Sequence, residues 1–130
     1  MQQLVAIILS CLIAFSAAAS KDIHPTDQGW LSTLQGLQAG DVLTVHEGTY
    51  TLTAKFSATW TGTESNPIVV QAASGEGRPK FVQTTGENIW NLNGAYFAVK
   101  GLEFTGGSRG IRLGESTSKK SKSRIYQLIL

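Results

Sequence analysis

Four side chains of this sequence have the chemistry to hold a ligand: His46, Asn91, Arg112 and Trp60. An imidazole, an amide and a guanidinium hydrogen-bond hydroxyl and carboxylate groups, and an indole ring stacks on the apolar face of a sugar. The first three occupy polar positions beside alternating apolar residues. We therefore expect them to project outward from successive rungs of one sheet, where they could hydrogen-bond a polysaccharide. An ordinary solvent-facing sheet is the simpler interpretation of the same pattern.

Trp60 lies in a segment rich in Thr, Ser and Gly, between residues 49 and 66, which predicts a loop. Lys55, Phe56 and Trp60 are then expected on the outgoing part of that loop. An indole there could stack on a sugar ring. It could equally fold back over the strands, and the sequence does not choose between these positions.

The strands that must position these side chains are clearest between residues 92 and 113. Apolar residues alternate there in three short bursts: 97/99, 102/104 and 111/113. Alternation at period two is typical of a strand with one buried face. Val99 and Leu102 are an odd number of residues apart, so Gly101 is expected to bend the chain between the bursts. Three brief strands joined by corners favour one coil of a parallel β-helix over the alternative, an antiparallel sandwich.

Earlier sequence supplies the same pattern in the same order. The corresponding apolar segments are Val42–Val45, Ile68–Ala72, Lys80–Gln83 and residues 89–92. Positions 80 and 102, and positions 89 and 111, are 22 residues apart, whereas 68 and 97 are 29 apart. Repeats of this length indicate stacked units that bury their apolar faces against each other. The fold class predicted is all-β, with about two coils that place Val42, Ile89 and Ile111 in one column.

A short helix is predicted before the first coil. Thr26 or Asp27 can cap it, and it would end between Gly36 and Gln38. Its apolar residues recur at helical spacing on one face: Trp30, Leu31, Leu34 and Leu37. Because the first coil of a β-helix has an apolar end, this helix is expected to cover it.

The first 19 of the 130 residues have the features of a secretory signal peptide. An apolar run between residues 4 and 15 precedes three alanines at 17–19, and we expect cleavage after Ala19. The run is shorter than a membrane-spanning helix requires, so no membrane association is expected after cleavage. Cys11, the only cysteine, lies inside this segment, and the mature chain therefore has no disulfide. Its cysteine and histidine spacing also predicts no metal site, and no cofactor is expected.

The formal net charge is +2, but the positive charge is concentrated near the end of the chain. Residues 116–130 form a basic segment that departs from the alternating pattern, so residues 20–115 are the predicted β-helix domain. A basic tail can contact polyanionic sugar, a membrane surface or nucleic acid, although a solvated, disordered end is the simpler interpretation. Secretion makes nucleic acid the least plausible of these partners.

Four segments together resemble the opening of the pectate-lyase-like right-handed parallel β-helix superfamily. They are LQAGDVLTVHEGTY at 37–50, NPIVVQAA at 66–73, YFAVKGLEF at 96–104 and GIRL at 110–113. The resemblance covers residues 28–115 and is greatest to the alginate lyases, chondroitinase B and the larger pectate lyases. Members of these families have many more coils than the pattern here provides, so the resemblance implies a truncated product, a fragment or a gene model that departs from the family near Ser118. The alternative is that residues 125–130 form a final short strand.

The resemblance implies a secreted, extracellular protein that acts on acidic, uronate-containing polysaccharide. In such lyases a Lys or Arg acts as the base, and Ca²⁺ or a further basic residue neutralises the substrate carboxylate. Those residues lie on later coils, so no catalytic residue can be matched to this chain. Three hypotheses remain: the N-terminal part of a uronate lyase, a non-catalytic carbohydrate-binding β-helix, or a truncated product without independent activity. The oligomeric state stays open.

Overall fold

The computed structural model describes residues 19–114 and the backbone of residues 124–126. It contains eleven strands and one short helix. In chain order these are β1 Ser20–Ile23, α1 Trp30–Gln35, β2 Val42–Val45, β3 Thr49–Leu52, β4 Phe56–Thr61, β5 Ile68–Ala72, β6 Lys80–Gln83, β7 Trp90–Ala95, β8 Phe97–Lys100, β9 Glu103–Gly106, β10 Ile111–Leu113 and β11 Arg124–Tyr126.

The strands form three sheets in which every pairing is parallel. Sheet A has the order β1-β2-β5-β8-β11, sheet B the order β3-β6-β9, and sheet C the order β10-β7-β4. After β1 and α1, the chain visits A, B and C in that sequence three times and then returns to sheet A with β11. The fold is therefore a parallel β-helix, as predicted, but the described residues form three coils rather than two.

The predicted registers are confirmed in one sheet and wrong in two. Ile68 pairs with Phe97, as the spacing of 29 residues predicts. Lys80 pairs with Glu103 and Trp90 pairs with Ile111, each one residue away from the predicted partner.

The predicted column of Val42, Ile89 and Ile111 is wrong. Val42 belongs to sheet A, where it pairs with Val69, while Ile111 belongs to sheet C and pairs with Trp90. Ile89 immediately precedes β7. The error arises because the first coil has its own sheet C strand, β4, in the segment that composition predicted to be a loop.

β4 places every second side chain in the interior. Phe56, Ala58 and Trp60 are buried, while the intervening Ser57 and Thr59 are exposed. The alternation is that of a strand with one buried face, and it is present in the sequence FSATWT. The serine and threonine content of the surrounding segment obscured it. Phe56 and Trp60 are therefore core residues, not loop residues.

Aromatic rings stack along the inside of the β-helix. On sheet B, Tyr50 lies over Phe81 with ring centroids 4.7 Å apart, and Phe81 lies over Phe104 at 5.6 Å. Trp90 from sheet C contacts Phe81 and Phe104 edge-on, at 4.7 and 4.8 Å. Offset-stacked and edge-to-face pairs add stabilisation beyond the area they bury. These contacts join the three coils through their shared core.

The helix α1 packs on the first coil, but its start differs from the prediction. Gly29 occupies the N-cap position without a side-chain hydrogen bond, and the Asp27 carboxylate accepts a hydrogen bond from the His24 amide instead, at 2.8 Å. Leu34 is fully buried, and the Trp30 ring meets Tyr50 edge-on at 5.2 Å. Leu31 is 41% exposed, so it does not lie on the buried face of α1, where the helical spacing had placed it.

Two corners depend on left-handed backbone conformations. Gly101 has φ 72° between β8 and β9, which confirms the predicted bend there. Tyr96, at φ 54°, joins β7 to β8 as a single residue, directly after Gly94 and Ala95. Short corners of this kind hold consecutive strands close together.

The predicted signal peptide lies almost wholly outside the described residues, and so does most of the basic segment. The exception is β11, which pairs with β8 and so continues sheet A. In the described part of the chain, α1 has six residues and no helix reaches the length and apolarity needed to cross a membrane.

Candidate functional site

His46 follows β2 and lies in a cluster of charged side chains at the corner between sheets A and B. Its Nε2 is 2.9 Å from the Asp22 carboxylate on β1, and its Nδ1 is 2.9 Å from the Glu76 carboxylate on the β5–β6 corner. The His24 ring stacks on it in parallel, with centroids 4.0 Å apart. Glu76 also accepts a hydrogen bond from the Glu47 amide at 3.1 Å. The cluster thus connects β1, the end of β2 and the corner that follows β5.

The backbone at His46 is held in place from inside the coil. The buried Tyr50 hydroxyl donates to the carbonyl oxygens of Ile23 and His46, at 2.9 and 2.8 Å. Burial raises the pKa of Tyr50, so the phenol remains a hydrogen-bond donor at any ordinary pH.

Both ring nitrogens of His46 are engaged by carboxylates. Only the imidazolium can donate from both nitrogens, and the hydrogen bonds to Glu76 and then Asp22 raise the pKa of His46 above its ordinary value of 6.5. In the same contact, His46 lowers the pKa of Glu76 below 4.5. A sugar hydroxyl would have to displace one of these carboxylates, so the geometry indicates a structural role for His46.

This cluster predicts a pH-dependent stability. The folded-state pKa of His46 is raised. The contribution of His46 to the stability of the fold is therefore complete below pH 6.5 and is lost as the pH rises through the folded pKa. The folded-state pKa of Glu76 is lowered. The contribution of Glu76 to the stability of the fold is therefore complete above pH 4.5 and is lost as the pH falls through the folded pKa. The joint stabilisation is therefore greatest between these two values. We expect the melting-temperature difference between the parent and His46→Gln to be largest there and to shrink at alkaline pH.

The control is Glu76→Gln, which removes the charge of the partner but keeps the shape of its side chain. In the Glu76→Gln background, His46→Gln should lower the melting temperature by less than it does in the parent. A melting-temperature difference that stays constant across the whole pH range would show that His46 acts through packing alone.

Asn91 and Arg112 lie on neighbouring rungs of sheet C, facing outward. Ser57 of β4 pairs with Asn91 of β7, and Asn91 pairs with Arg112 of β10, so the three form one column across the three coils. We call them the sheet C column. The prediction that His46 shares a sheet with Asn91 and Arg112 is wrong, because β2 belongs to sheet A and β7 and β10 belong to sheet C.

A chain of hydrogen bonds fixes the orientation of Asn91. The Ser108 hydroxyl donates to Asn88 Oδ1 at 2.9 Å, and Asn88 Nδ2 donates to Asn91 Oδ1 at 2.9 Å. Asn91 Nδ2 is shielded from solvent and has no hydrogen-bond partner in the described part of the chain. An unsatisfied buried donor is costly, but because Nδ2 is shielded a ligand oxygen could reach it only after the Asn91 side chain rotates.

Three further residues near Asn91 on this face, Ser57, Thr59 and Asn93, were not predicted from the sequence. Ser57 belongs to the column itself, and Asn93 pairs with Thr59 two residues further along the strands. All are outward-facing residues of β4 and β7. The alternation in β4 was the signal that would have revealed Ser57 and Thr59. The outer face of sheet C is consequently lined by hydroxyl and amide groups, with Arg112 on the last described rung.

Trp60 is not available to a ligand. Its side chain is fully buried, and Nε1 donates to the Leu34 carbonyl oxygen of α1 at 3.0 Å. The ring also meets Trp90 and Phe97 edge-on, at 5.8 and 5.5 Å. The prediction that Trp60 binds substrate is therefore wrong, because its position on β4 faces the core.

The described residues do not provide the oxygen-rich site that a Ca²⁺ ion requires. They contain no group of three or more His, Cys, Asp or Glu side chains placed to hold a metal ion. The carboxylates of Asp22 and Glu76 are both bound to His46. The described residues therefore offer no cluster of acidic side chains for the calcium ion that the family resemblance implies.

A structural comparison finds a similar fold in a solved polysaccharide lyase. This enzyme, described as a mannuronic acid specific polysaccharide family 6 lyase from human gut microbiota, matches with a TM-score of 0.60 and 21% sequence identity. The match covers 85% of this chain and 26% of the enzyme, so the chain spans about a quarter of that protein's length. At this identity the similarity establishes the fold alone. No curated protein matches the chain.

The family comparison covers most of the chain. The model of the Chondroitinase B family matches residues 28–124, from just before α1 to the first residue of β11. The match therefore includes all three coils and the whole outer face of sheet C. Together with the parallel β-helix and the structural similarity, it identifies a polysaccharide lyase-like protein, and the chain belongs to the Chondroitinase B family.

Proposed function

We propose that this chain is the N-terminal part of a secreted lyase that cleaves uronate-containing polysaccharide by β-elimination, and that its sheet C column binds the substrate. The observation that carries the proposal is the position of Arg112 beside Asn91 on an otherwise uncharged polar face. A guanidinium binds a carboxylate through two parallel hydrogen bonds, while amides and hydroxyls bind sugar hydroxyls. Secretion rests on the predicted signal peptide and would be refuted if cells retained the uncleaved chain.

This chain meets only some of the requirements that the reaction sets. A base removes the proton on the carbon beside the uronate carboxylate, the bond to the glycosidic oxygen breaks, a carbon–carbon double bond forms, and the leaving oxygen takes up a proton. Positive charge near the carboxylate stabilises the enolate that develops. Arg112 can bind such a carboxylate. We assign the base to no described residue, because His46, the nearest candidate by chemistry, is held between two carboxylates.

Removing the Arg112 charge should weaken binding of acidic polysaccharide. We expect Arg112→Gln to reduce affinity for alginate by a factor of about ten or more, since a charge-assisted hydrogen bond contributes about 1.5–3 kcal/mol and about 1.4 kcal/mol corresponds to tenfold. The measurement is isothermal titration calorimetry of the purified chain with alginate, pectate and chondroitin sulfate, and with dextran as the uncharged control.

Arg78→Gln is the matched control variant, because Arg78 is an exposed cation on the β5–β6 corner and not on sheet C. Equal losses in both variants would mean that binding follows net charge and not the sheet C column. Absence of binding to all three acidic polymers would refute the proposal.

The second candidate function is a carbohydrate-binding β-helix without catalytic activity. It is favoured by one observation: the described outer face of sheet C offers a cation, amides and hydroxyls but no assigned base. Ultraviolet absorbance of the unsaturated product distinguishes the two functions. Product formed from any of the three polymers by the chain alone supports the lyase, whereas binding without product supports the carbohydrate-binding protein.

A further inference from the structure

A recess of about 150 Å³ lies between α1 and the corner that joins β3 to β4. Five of the residues that line it are polar: Gln35, Thr51, Thr53, Lys55 and Ser57. Gln35 Nε2 donates to the Ser57 carbonyl oxygen at 3.1 Å, which fixes the helix to the start of β4 beside the recess. Hydroxyl and amide groups at this density are the donors and acceptors that a sugar requires.

Lys55 supplies the positive charge of the recess. Its side chain is exposed, and no carboxylate of the described residues forms an ion pair with it. Other lysines are used structurally: Lys21 pairs with Asp41 at 2.9 Å, and Lys80 pairs with Glu103 at 3.3 Å. Lys55 is thus free to bind an anionic group without breaking a contact within the described fold.

Leu31 adds an apolar surface to the same recess. It is 41% exposed on α1, whereas the other leucine of the helix, Leu34, is fully buried. An exposed aliphatic side chain beside polar groups is suited to the mixed surface of a sugar, whose C–H groups form apolar patches between the hydroxyls.

Ser57 belongs both to the recess and to the sheet C column. Because neighbouring strands are about 4.8 Å apart, the column from Ser57 through Asn91 to Arg112 extends about 10 Å along the axis of the β-helix. The recess lies at one end of this polar strip and Arg112 at the other. Two cations, Lys55 and Arg112, are therefore separated by uncharged hydrogen-bonding side chains.

We propose that the recess is a further subsite that binds one uronate unit, with Lys55 contacting its carboxylate. The same polysaccharide chain then runs parallel to the β-helix axis, past Asn91 to Arg112. This inference rests on the proposed function and extends it, since it assigns a binding role to α1 and to the β3–β4 corner, which belong to the first coil.

The test is calorimetric titration of the chain with mannuronate, pectate and chondroitin oligomers of two, four and six units. If the strip is continuous, affinity rises with oligomer length in the parent, and Lys55→Gln lowers affinity for the hexamer about tenfold. Leu31→Ala, a second variant of the recess, should also weaken hexamer binding. Arg78→Gln, which removes one exposed cation elsewhere, should leave hexamer binding unchanged. A cooperative thermal unfolding transition in each variant confirms that all of them are folded.

Failure of the subsite is distinguishable from failure of the proposed function. If Arg112→Gln weakens hexamer binding while Lys55→Gln behaves like Arg78→Gln, the recess is not a subsite and the sheet C column stands. If Lys55→Gln and Arg78→Gln weaken binding equally, the effect is one of net charge and the subsite is also rejected. If the parent binds no mannuronate, pectate or chondroitin oligomer, both proposals fail.

Discussion

Replacing Trp60 with alanine is expected to lower the free energy of unfolding by about 3–5 kcal/mol, the range for large aromatic residues in cores. The ring is fully buried, meets Trp90 and Phe97, and donates its only hydrogen bond to α1. The change therefore removes core volume and the connection between the helix and the first coil. Since domains of this size are stable by about 5–15 kcal/mol, the loss is a large part of the total.

The measurement is urea denaturation of the chain and of three variants, Trp60→Ala, Leu31→Ala and Trp60→Phe. Leu31→Ala is the control, because Leu31 is a partly exposed apolar residue on the helix that Trp60 contacts, and its loss should cost less than about 1 kcal/mol. Trp60→Phe should fall between the two, since it keeps a ring but loses the hydrogen bond to Leu34. A cost for Trp60→Ala as small as that of Leu31→Ala would contradict the buried position and revive the surface role suggested by the sequence.

Replacing Gly94 with alanine should also destabilise the protein strongly. Gly94 has φ 109°, and a Cβ atom there would lie 2.0 Å from the backbone oxygen of Trp60 on the neighbouring strand. Left-handed backbone costs a residue with a side chain about 1–2 kcal/mol, and separating β4 from β7 adds to this cost. We expect a total loss of about 3 kcal/mol or more, or failure to fold, when the Gly94→Ala variant is compared with the parent by urea denaturation.

Two other glycines separate the causes of this loss. Gly75 has φ 76° but no atom within 4 Å of an added Cβ. The loss of stability in Gly75→Ala therefore measures the cost of the left-handed backbone conformation alone. Gly86 has neither a left-handed φ nor a nearby atom, so Gly86→Ala should be neutral or slightly stabilising. Destabilisation in the order Gly94, Gly75, Gly86 is expected. Equal effects at Gly94 and Gly75 would mean that the close approach to Trp60 is relieved without cost.

Both predictions concern the residues that hold sheet C against the rest of the coil. Trp60 and Gly94 face each other on β4 and β7, the two strands that also carry Ser57 and Asn91. The inner face of these strands is packed with aromatic side chains, and the outer face carries the sheet C column. Loss of packing inside is therefore expected to disturb the spacing of the polar groups outside, which links the stability of the core to binding.

The sequence determined the fold through the alternation of apolar and polar residues. The pattern between residues 92 and 113 predicted three strands with a bend at Gly101, and the structure has β8, β9 and β10 there. Local pattern succeeds in this region because each strand buries one face and each corner is short. The alternation also predicted Asn91 and Arg112 to be outward-facing residues of one sheet, although the predicted repeat did not pair them with each other as the structure does.

Only the tertiary structure decided which rung lies above which, and which polar residues meet. A shift of one residue in a corner changes the partner of a whole strand, as it does for Lys80 and for Trp90, and local sequence does not fix the length of a corner. The contacts of His46 with Asp22 and Glu76 join residues 24 and 30 positions apart, and only the winding of the coil brings them together. The sequence suited Trp60 equally to a loop or to the core, because its burial depends on the pairing of β4 with β7. Local composition does not predict such a long-range contact.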